Sequence, residues 1–238
     1  MSLFKKISIG ILFACLSLSY AQENKESRIV LPKISVGTSK ATKDNYAEFQ
    51  KKLKRGGFSI FRYQDAEFKI QRGGKDPINI SGKAQINYSV SYIEKFNLDD
   101  SKIDDDKKKY IKKRLERILT ISASPYLILK RSRLKKDFSC VKIGENIYGF
   151  KLNHDNNQKY EISGSEADYV FFVYLREDGT IEKIKAKIDR EDEKGNNYIM
   201  ETFYEDQNGK TQVRTLQIEL ENSKISDAIL DISFDFKI

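Results

Sequence analysis

Histidine occurs once in the 238 residues, tryptophan not at all, cysteine twice and proline three times. One imidazole, His154, rules out a metal site built on several histidines and leaves any histidine-dependent nucleophilic mechanism a single residue to use. That residue lies in Asn153-His154-Asp155-Asn156-Asn157, a composition that marks a loop tip. A dyad with Cys140 would lack a third residue in any recognisable context. P-loop, G-x-G-x-x-G, G-x-S-x-G and H-E-x-x-H patterns are all missing. With 35 acidic residues in the chain, paired carboxylates carry no signal. The reading is therefore of a protein that is not an enzyme, with no catalytic residue, no metal and no cofactor.

Long apolar runs are missing too. The longest opens the chain, where Lys5 and Lys6 precede an apolar stretch over residues 7–18, short of the ~20 residues a spanning helix needs. Ser19-Tyr20-Ala21 then places small residues at the −3 and −1 positions, so residues 1–21 read as a signal peptide cleaved before Gln22. Leu12-Phe13-Ala14-Cys15 loosely resembles a lipoprotein cleavage box. Bulky Phe13 and the apolar residues beyond Cys15 argue against lipidation there. The expected address is export to the periplasm or outer-membrane surface of a Gram-negative envelope, with no transmembrane segment after cleavage. If Cys15 leaves with the signal, Cys140 cannot close an intramolecular disulfide, and the domain is held by its core alone. Alternation around Phe138-Ser-Cys140 makes that cysteine a core residue.

What is abundant is charge, and it is segregated. Between residues 107 and 136 lie twelve basic side chains and one acid, Glu116, within a chain of formal charge +8. The spacing predicts an amphipathic helix with Ile111, Leu115, Ile118, Leu119 and Ser122 on one arc and Lys112, Lys113, Arg114 and Arg117 on the other. It should stop near Ser124-Pro125. Asp99, Asp100, Asp104, Asp105 and Asp106 just upstream could hold calcium, but acids at a helix start complement its dipole, and Ser101 with Asp104 three positions on resembles a capping box. Lys112, Lys113, Arg114, Arg117, Lys130 and Arg131 form a candidate docking face for a lipid, a lipoprotein or an acidic envelope protein. The bland alternative is a solvated helix packed on a sheet. Nucleic acid is not an expected partner, since export removes the usual targets and the aromatics do not interleave with the bases.

Elsewhere the pattern is that of strands. Residues 22–42 read as a leader with a possible edge strand over 29–36, interrupted by Pro32; residues 43–54 read as a helix with Tyr46, Phe49 and Leu53 on one side, and 58–70 as a strand or hairpin. From 78 to 92 apolar and polar residues alternate almost without exception, which predicts one long strand of a strongly bent sheet. Its apolar positions Ile86, Tyr88, Val90 and Tyr92 are candidates to line an apolar-ligand site, or are ordinary core. Strands are expected near 138–143, 147–152, 168–176, 180–189, 197–205 and 211–220, joined by turns such as Glu177-Asp178-Gly179 that accept positive φ. Residues 169–175 are apolar on both faces, so both sides of that strand should be covered.

Ser124-Pro125-Tyr-Leu-Ile-Leu129, Lys136-Asp137-Phe138, Ile147-Tyr148-Gly-Phe-Lys-Leu152, Phe171 to Leu175, Ile181-Glu-Lys-Ile184, Lys194-Gly195-Asn196-Asn-Tyr198 and the ending Asn222 to Phe234 resemble the second half of periplasmic outer-membrane lipoprotein carrier proteins. The resemblance implies an incomplete antiparallel barrel whose concave apolar face is plugged by helices and receives acyl chains. The expected fold is α+β and β-dominated, a strongly curved antiparallel sheet (incomplete barrel) with two or three helices packed on it, in a single domain over 43–238. The expected function is an exported carrier or binding protein that shelters a lipid acyl chain or other apolar ligand. The alternative is a non-enzymatic envelope interaction module docking through the basic 107–136 segment.

Overall fold

Period-two alternation with short polar turns makes neighbouring strands antiparallel, and that rule governs most of the molecule. The computed structural model describes residues 29–32, 43–54, 57–58, 64–72, 76–86, 91–98, 103–130, 134–153, 160–162, 165–190, 197–207, 209–221 and 228–235. In chain order the elements are α1 (Lys43–Lys52), β1 (Gly57–Phe58), β2 (Gln64–Arg72), β3 (Ile78–Gln85), β4 (Tyr92–Leu98), α2 (Asp105–Lys130), α3 (Leu134–Asp137), β5 (Phe138–Gly144), β6 (Ile147–Leu152) and β7 (Tyr160–Ile162). Then come β8 (Ser165–Leu175), β9 (Ile181–Arg190), β10 (Asn197–Gln207), β11 (Lys210–Glu221) and β12 (Ala228–Asp235). The strands form one sheet in the order β4-β3-β2-β12-β11-β10-β9-β8-β6-β5, with β7 beside β8 and the short β1 parallel to β11.

The sheet is open, because β4 and β5 end the path and do not pair with each other. Laid flat, ten strands at ~4.8 Å spacing would span roughly 43 Å. Instead, buried residues from Phe49 on α1 through Ala66, Leu119, Phe150 and Tyr204 to Ile218 join in one core cluster. The sheet bends around α2, whose Glu116 bonds to β4 while Tyr126 packs on Tyr204 of β10, ring centroids 5.5 Å apart. The architecture is the β-dominated antiparallel sheet, with helices packed on it, that the sequence predicts.

Helices occupy both open margins. Along β4, Glu116 Oε1 accepts from the Ile93 N–H at 3.0 Å, and just before the strand Thr120 Oγ1 accepts from the Ser91 N–H at 2.9 Å. An uncovered strand margin invites pairing with another chain, and these two side chains close it. At the other margin α1 lies beside β5 and sends Phe49 between Tyr148 and Phe150, at centroid distances of 5.2 and 5.0 Å. Phe150 in turn stacks on Phe171 at 4.9 Å. Burying side chains of this size stabilises by about 1.5–3 kcal/mol each.

The C-terminal end of α1 is fixed by the β8–β9 turn. Gly179, at φ +82°, accepts from the Lys54 N–H at 2.9 Å, and a Cβ there would stand 2.2 Å from the Lys52 carbonyl oxygen. Asp178 Oδ1 accepts from the Thr180 N–H and hydroxyl, and both bonds hold its carboxyl below the usual range. Arg176 Nη2 donates to the Tyr204 carbonyl at 2.6 Å, beside the bulge where β10 and β11 change register.

Three expectations are corrected. The alternation over 78–92 is two strands: β3 and β4 are antiparallel, with Gln85 opposite Tyr92, and β4 is bulged opposite Gly82 at Lys95, φ 49°. Helix α2 does not stop at Pro125 but continues to Lys130, because the residues beyond the proline still reach the core: Tyr126 and Ile128 are both buried. Burial of that size offsets the ~3 kcal/mol a helical proline costs. Residues 29–32 form no strand; they cross the outer face of the sheet, where Ile29 N–H donates to Glu219 Oε1 and the Val30 carbonyl accepts from Lys185 Nζ, both at 2.9 Å. Residues 33–36 of the expected edge strand, the expected signal peptide and Ser101 lie outside the described residues. Strand β7 is three residues long, too short to show a period; β12 is not among the expected strands, although Leu230, Ile232 and Phe234 alternate with Asp231, Ser233 and Asp235.

Candidate functional site

The four candidate ligand-lining residues do not share one surface. Ile86 is buried in the core at 4% exposure, whereas Tyr92 is 47% exposed on β4. Tyr88 and Val90 lie outside the described residues. The strand break explains the separation, since β4 opens in the opposite phase, burying Ile93 and exposing Tyr92, and returns to the phase of the 78–92 alternation only past the bulge, at buried Leu98. Beneath the helix no space is shown open among the described residues: Leu115, Leu119, Ile121, Ala123, Tyr126 and Ile128 of α2 are all buried in the core, Tyr126 against Tyr204 of β10.

The basic helix is where candidate residues do converge. It starts at an Asp104 cap: Oδ1 accepts from the Lys107 N–H at 2.8 Å, the first cause of a lowered Asp104 pKa, and Oδ2 pairs with Lys107 Nζ at 3.0 Å. The acidic block thus acts on the helix end through Asp104, three positions later than the Ser101 box predicted. Leu115, Ile118, Leu119 and Ser122 of the predicted arc are buried, and Ile111 packs against the core from its margin. The opposite side carries the charge.

On that side Lys109, Lys113 and Arg117 are exposed, and at i, i+4 and i+8 they form one ridge. None of the three has an ion-pair partner among the described residues. Lys112 is shared with Glu116 at 3.9 Å, and Arg114 Nη1 donates to the Tyr110 hydroxyl at 3.3 Å. Tyr110 itself is 50% exposed amid these cations. Of the remaining candidates, Lys130 is described only as the last backbone position of α2, and Arg131 lies outside the described residues. Lys109 and Tyr110 extend the expected face; the four-residue spacing of Lys109 to Lys113 is the signal that finds the first of them.

A second row of lysines, on the outer face of β9, behaves differently. Lys183 and Lys185 lie 3.2 and 3.4 Å from Glu201 Oε1, and Lys187 lies 3.4 Å from Asp189. Lys183 also sits over the Tyr174 and Phe203 rings, at 5.0 and 5.3 Å. Each of these lysines has a carboxylate partner, with Lys183 and Lys185 sharing one. Phe172 on the same face is buried, so the β8 strand is covered on both sides as its sequence requires.

Cys140 is 4% exposed, and burial pushes its thiol up to about 12, so it is held as an inert core thiol. His154 lies outside the described residues. Among the described residues no helix is long and apolar enough to cross a membrane.

What the geometry defines is an α+β protein whose open antiparallel sheet is plugged by one long helix with a cationic outer side. No protein-family model, curated protein or solved structure matches the chain.

Proposed function

We propose that the protein is an exported, non-enzymatic docking module of the Gram-negative envelope, periplasmic or outer-membrane associated, that holds to an acidic partner surface through the basic side of α2. One observation carries this reading: Lys109, Lys113 and Arg117 stand exposed in a ridge without ion pairs among the described residues, while Lys183, Lys185 and Lys187 of β9 each have a carboxylate within 3.4 Å. Unpaired cations of one sign on a rigid element attract an acidic surface at long range and lose that attraction with salt. Replacing Lys113 and Arg117 by Glu leaves the Lys112–Glu116 pair and the buried arc intact. The double variant should fold as the parent does and disappear from the envelope fraction; equal retention of the two proteins in that fraction would rule the reading out.

A carrier of an apolar ligand is the second reading, favoured by the buried Tyr204 hydroxyl. It finds no hydrogen-bond partner of good geometry among the described residues, and burial drives its pKa far up. A guest lodged beneath α2 with one polar group would satisfy that hydroxyl. Tyr204→Phe should then weaken oleate binding about tenfold, the worth of one buried hydrogen bond. An oleate affinity unchanged by the substitution, or absent from the parent, counts against carriage.

A further inference from the structure

We infer that the acidic surface α2 meets is an anionic lipid bilayer, touched at head-group depth without insertion; this rests on the docking reading above and names its partner. The ridge from Lys109 to Arg117 spans eight residue steps, roughly 12 Å at ~1.5 Å per residue. It is convex, as the outer side of a helix is, and its three cations fall within about 80° of the helix circumference at ~100° per residue. Such a ridge lies flat on a plane of mobile phosphates, whereas a folded acidic protein would have to supply a groove of matching length.

Tyr110 supplies the second element. It is one of three large apolar side chains exposed among the described residues, and it stands beside the ridge. A tyrosine has an apolar ring and a polar tip, the combination that settles at the boundary between head groups and acyl chains. Its hydroxyl accepts from Arg114 at 3.3 Å, so ring and guanidinium are presented together. Insertion is blocked from the other side. The arc a surface-seeking helix would bury in lipid is here committed to the sheet, with Leu115, Ile118 and Leu119 at 2%, 4% and 0% exposure. The contact is therefore electrostatic with a single aromatic anchor.

The chain contains no tryptophan, so Tyr110→Trp places a lone tryptophan on the ridge, excited selectively over the tyrosines at the red edge. Val30→Trp is the control, because Val30 is 71% exposed on the outer face of the sheet. Both are made in the chain starting at Gln22, since residues 1–21 would bind vesicles through their own apolar run. With phosphatidylcholine vesicles containing about a third phosphatidylglycerol, the emission of the Tyr110→Trp variant should shift to the blue and the protein should sediment with the vesicles. The emission of the Val30→Trp variant should not shift, and pure phosphatidylcholine should do nothing. Salt at ~1 M, where the screening length is ~3 Å, should reverse both signals.

Lys109→Glu, Lys113→Glu and Arg117→Glu together should cost at least about a hundredfold in vesicle affinity, at ~1 kcal/mol per cation near the surface. Sedimentation of the Tyr110→Trp variant with unshifted emission would overturn the proposed face. No binding to anionic vesicles, with salt-sensitive binding to poly-glutamate that the triple variant loses, would overturn the lipid and leave docking standing. Failure of both would remove the docking reading as well.

Discussion

Replacing Gly179 by Ala tests the joint between α1 and the sheet. At φ +82° an L side chain suffers about 1–2 kcal/mol of left-handed strain. The added Cβ would also lie 2.2 Å from the Lys52 carbonyl oxygen, a backbone atom that cannot rotate away. Either the turn or the end of α1 must retreat, and the Lys54-to-Gly179 hydrogen bond of 2.9 Å then lengthens or breaks, for about 1 kcal/mol more. The total is roughly 2–4 kcal/mol, which for a domain of this size lowers Tm by about 9 °C at mid-range. Gly209→Ala is the matched control, with φ +74° and nothing within 4 Å of its Cβ. It should show only the left-handed strain. Urea denaturation of both variants, followed by far-UV circular dichroism, separates contact from strain. If Gly179→Ala costs no more than Gly209→Ala, the turn does not seat on α1 and the account of that margin is wrong.

Other outcomes follow from the same geometry. Thr120→Val strands the buried Ser91 N–H and should cost about 1–3 kcal/mol, with faster aggregation by light scattering as the β4 margin opens. Glu116→Gln keeps the acceptor for Ile93 and should change stability little, whereas Glu116→Leu should behave like Thr120→Val. Glu48 accepts from Lys142 at 2.7 Å and from the Tyr148 hydroxyl at 3.0 Å, which lowers its pKa from the ordinary 4.5. Its charged form is the one the fold favours. The contribution is whole above pH 4.5 and is lost as pH falls through the lowered folded value, so Glu48→Gln should flatten the acid limb of a stability-versus-pH curve. Cys140 should resist a thiol reagent at about pH 8, well below its raised pKa of about 12, and react once urea is added.

Apart from β7, the strands from β5 to β11 were legible to within three residues, because short polar turns punctuate them and the apolar run of β8 is itself the mark of a strand covered on both faces. The β3–β4 hairpin was not, for a specific reason. Polar and apolar residues happen to keep alternating from Ile86 to Tyr92, while the strand that does exist hides its pattern behind the bulge at Lys95. Buried Ile93 and Leu98 sit an odd number of residues apart, so a period-two search rejects them. The passage of α2 through Pro125 was equally invisible, since local preference argued for a stop and only the core waiting for Tyr126 and Ile128 argued for continuing. Of the candidate site, the charge was readable and its availability was not. Lysines 183, 185 and 187 look as basic in sequence as Lys109 and Lys113, and only cross-strand placement reveals Glu201 between two of them.

Helix α2 has two obligations that constrain each other. It must stay against the sheet, because Glu116 and Thr120 close the β4 margin and its arc fills the bend. Those ties fix which side faces outward, and that side is cationic. A surface reader built this way gains geometry from the fold: the helix is ordered before contact, so no helix-ordering entropy is spent at the surface. Carriage makes the opposite demand, since a guest under α2 would have to lift the helix and break both margin bonds. The two readings therefore diverge in one measurement, hydrogen exchange at the Ser91 and Ile93 amides. Docking on a surface should leave both amides as protected as in the free protein, and uptake of an apolar guest should expose them.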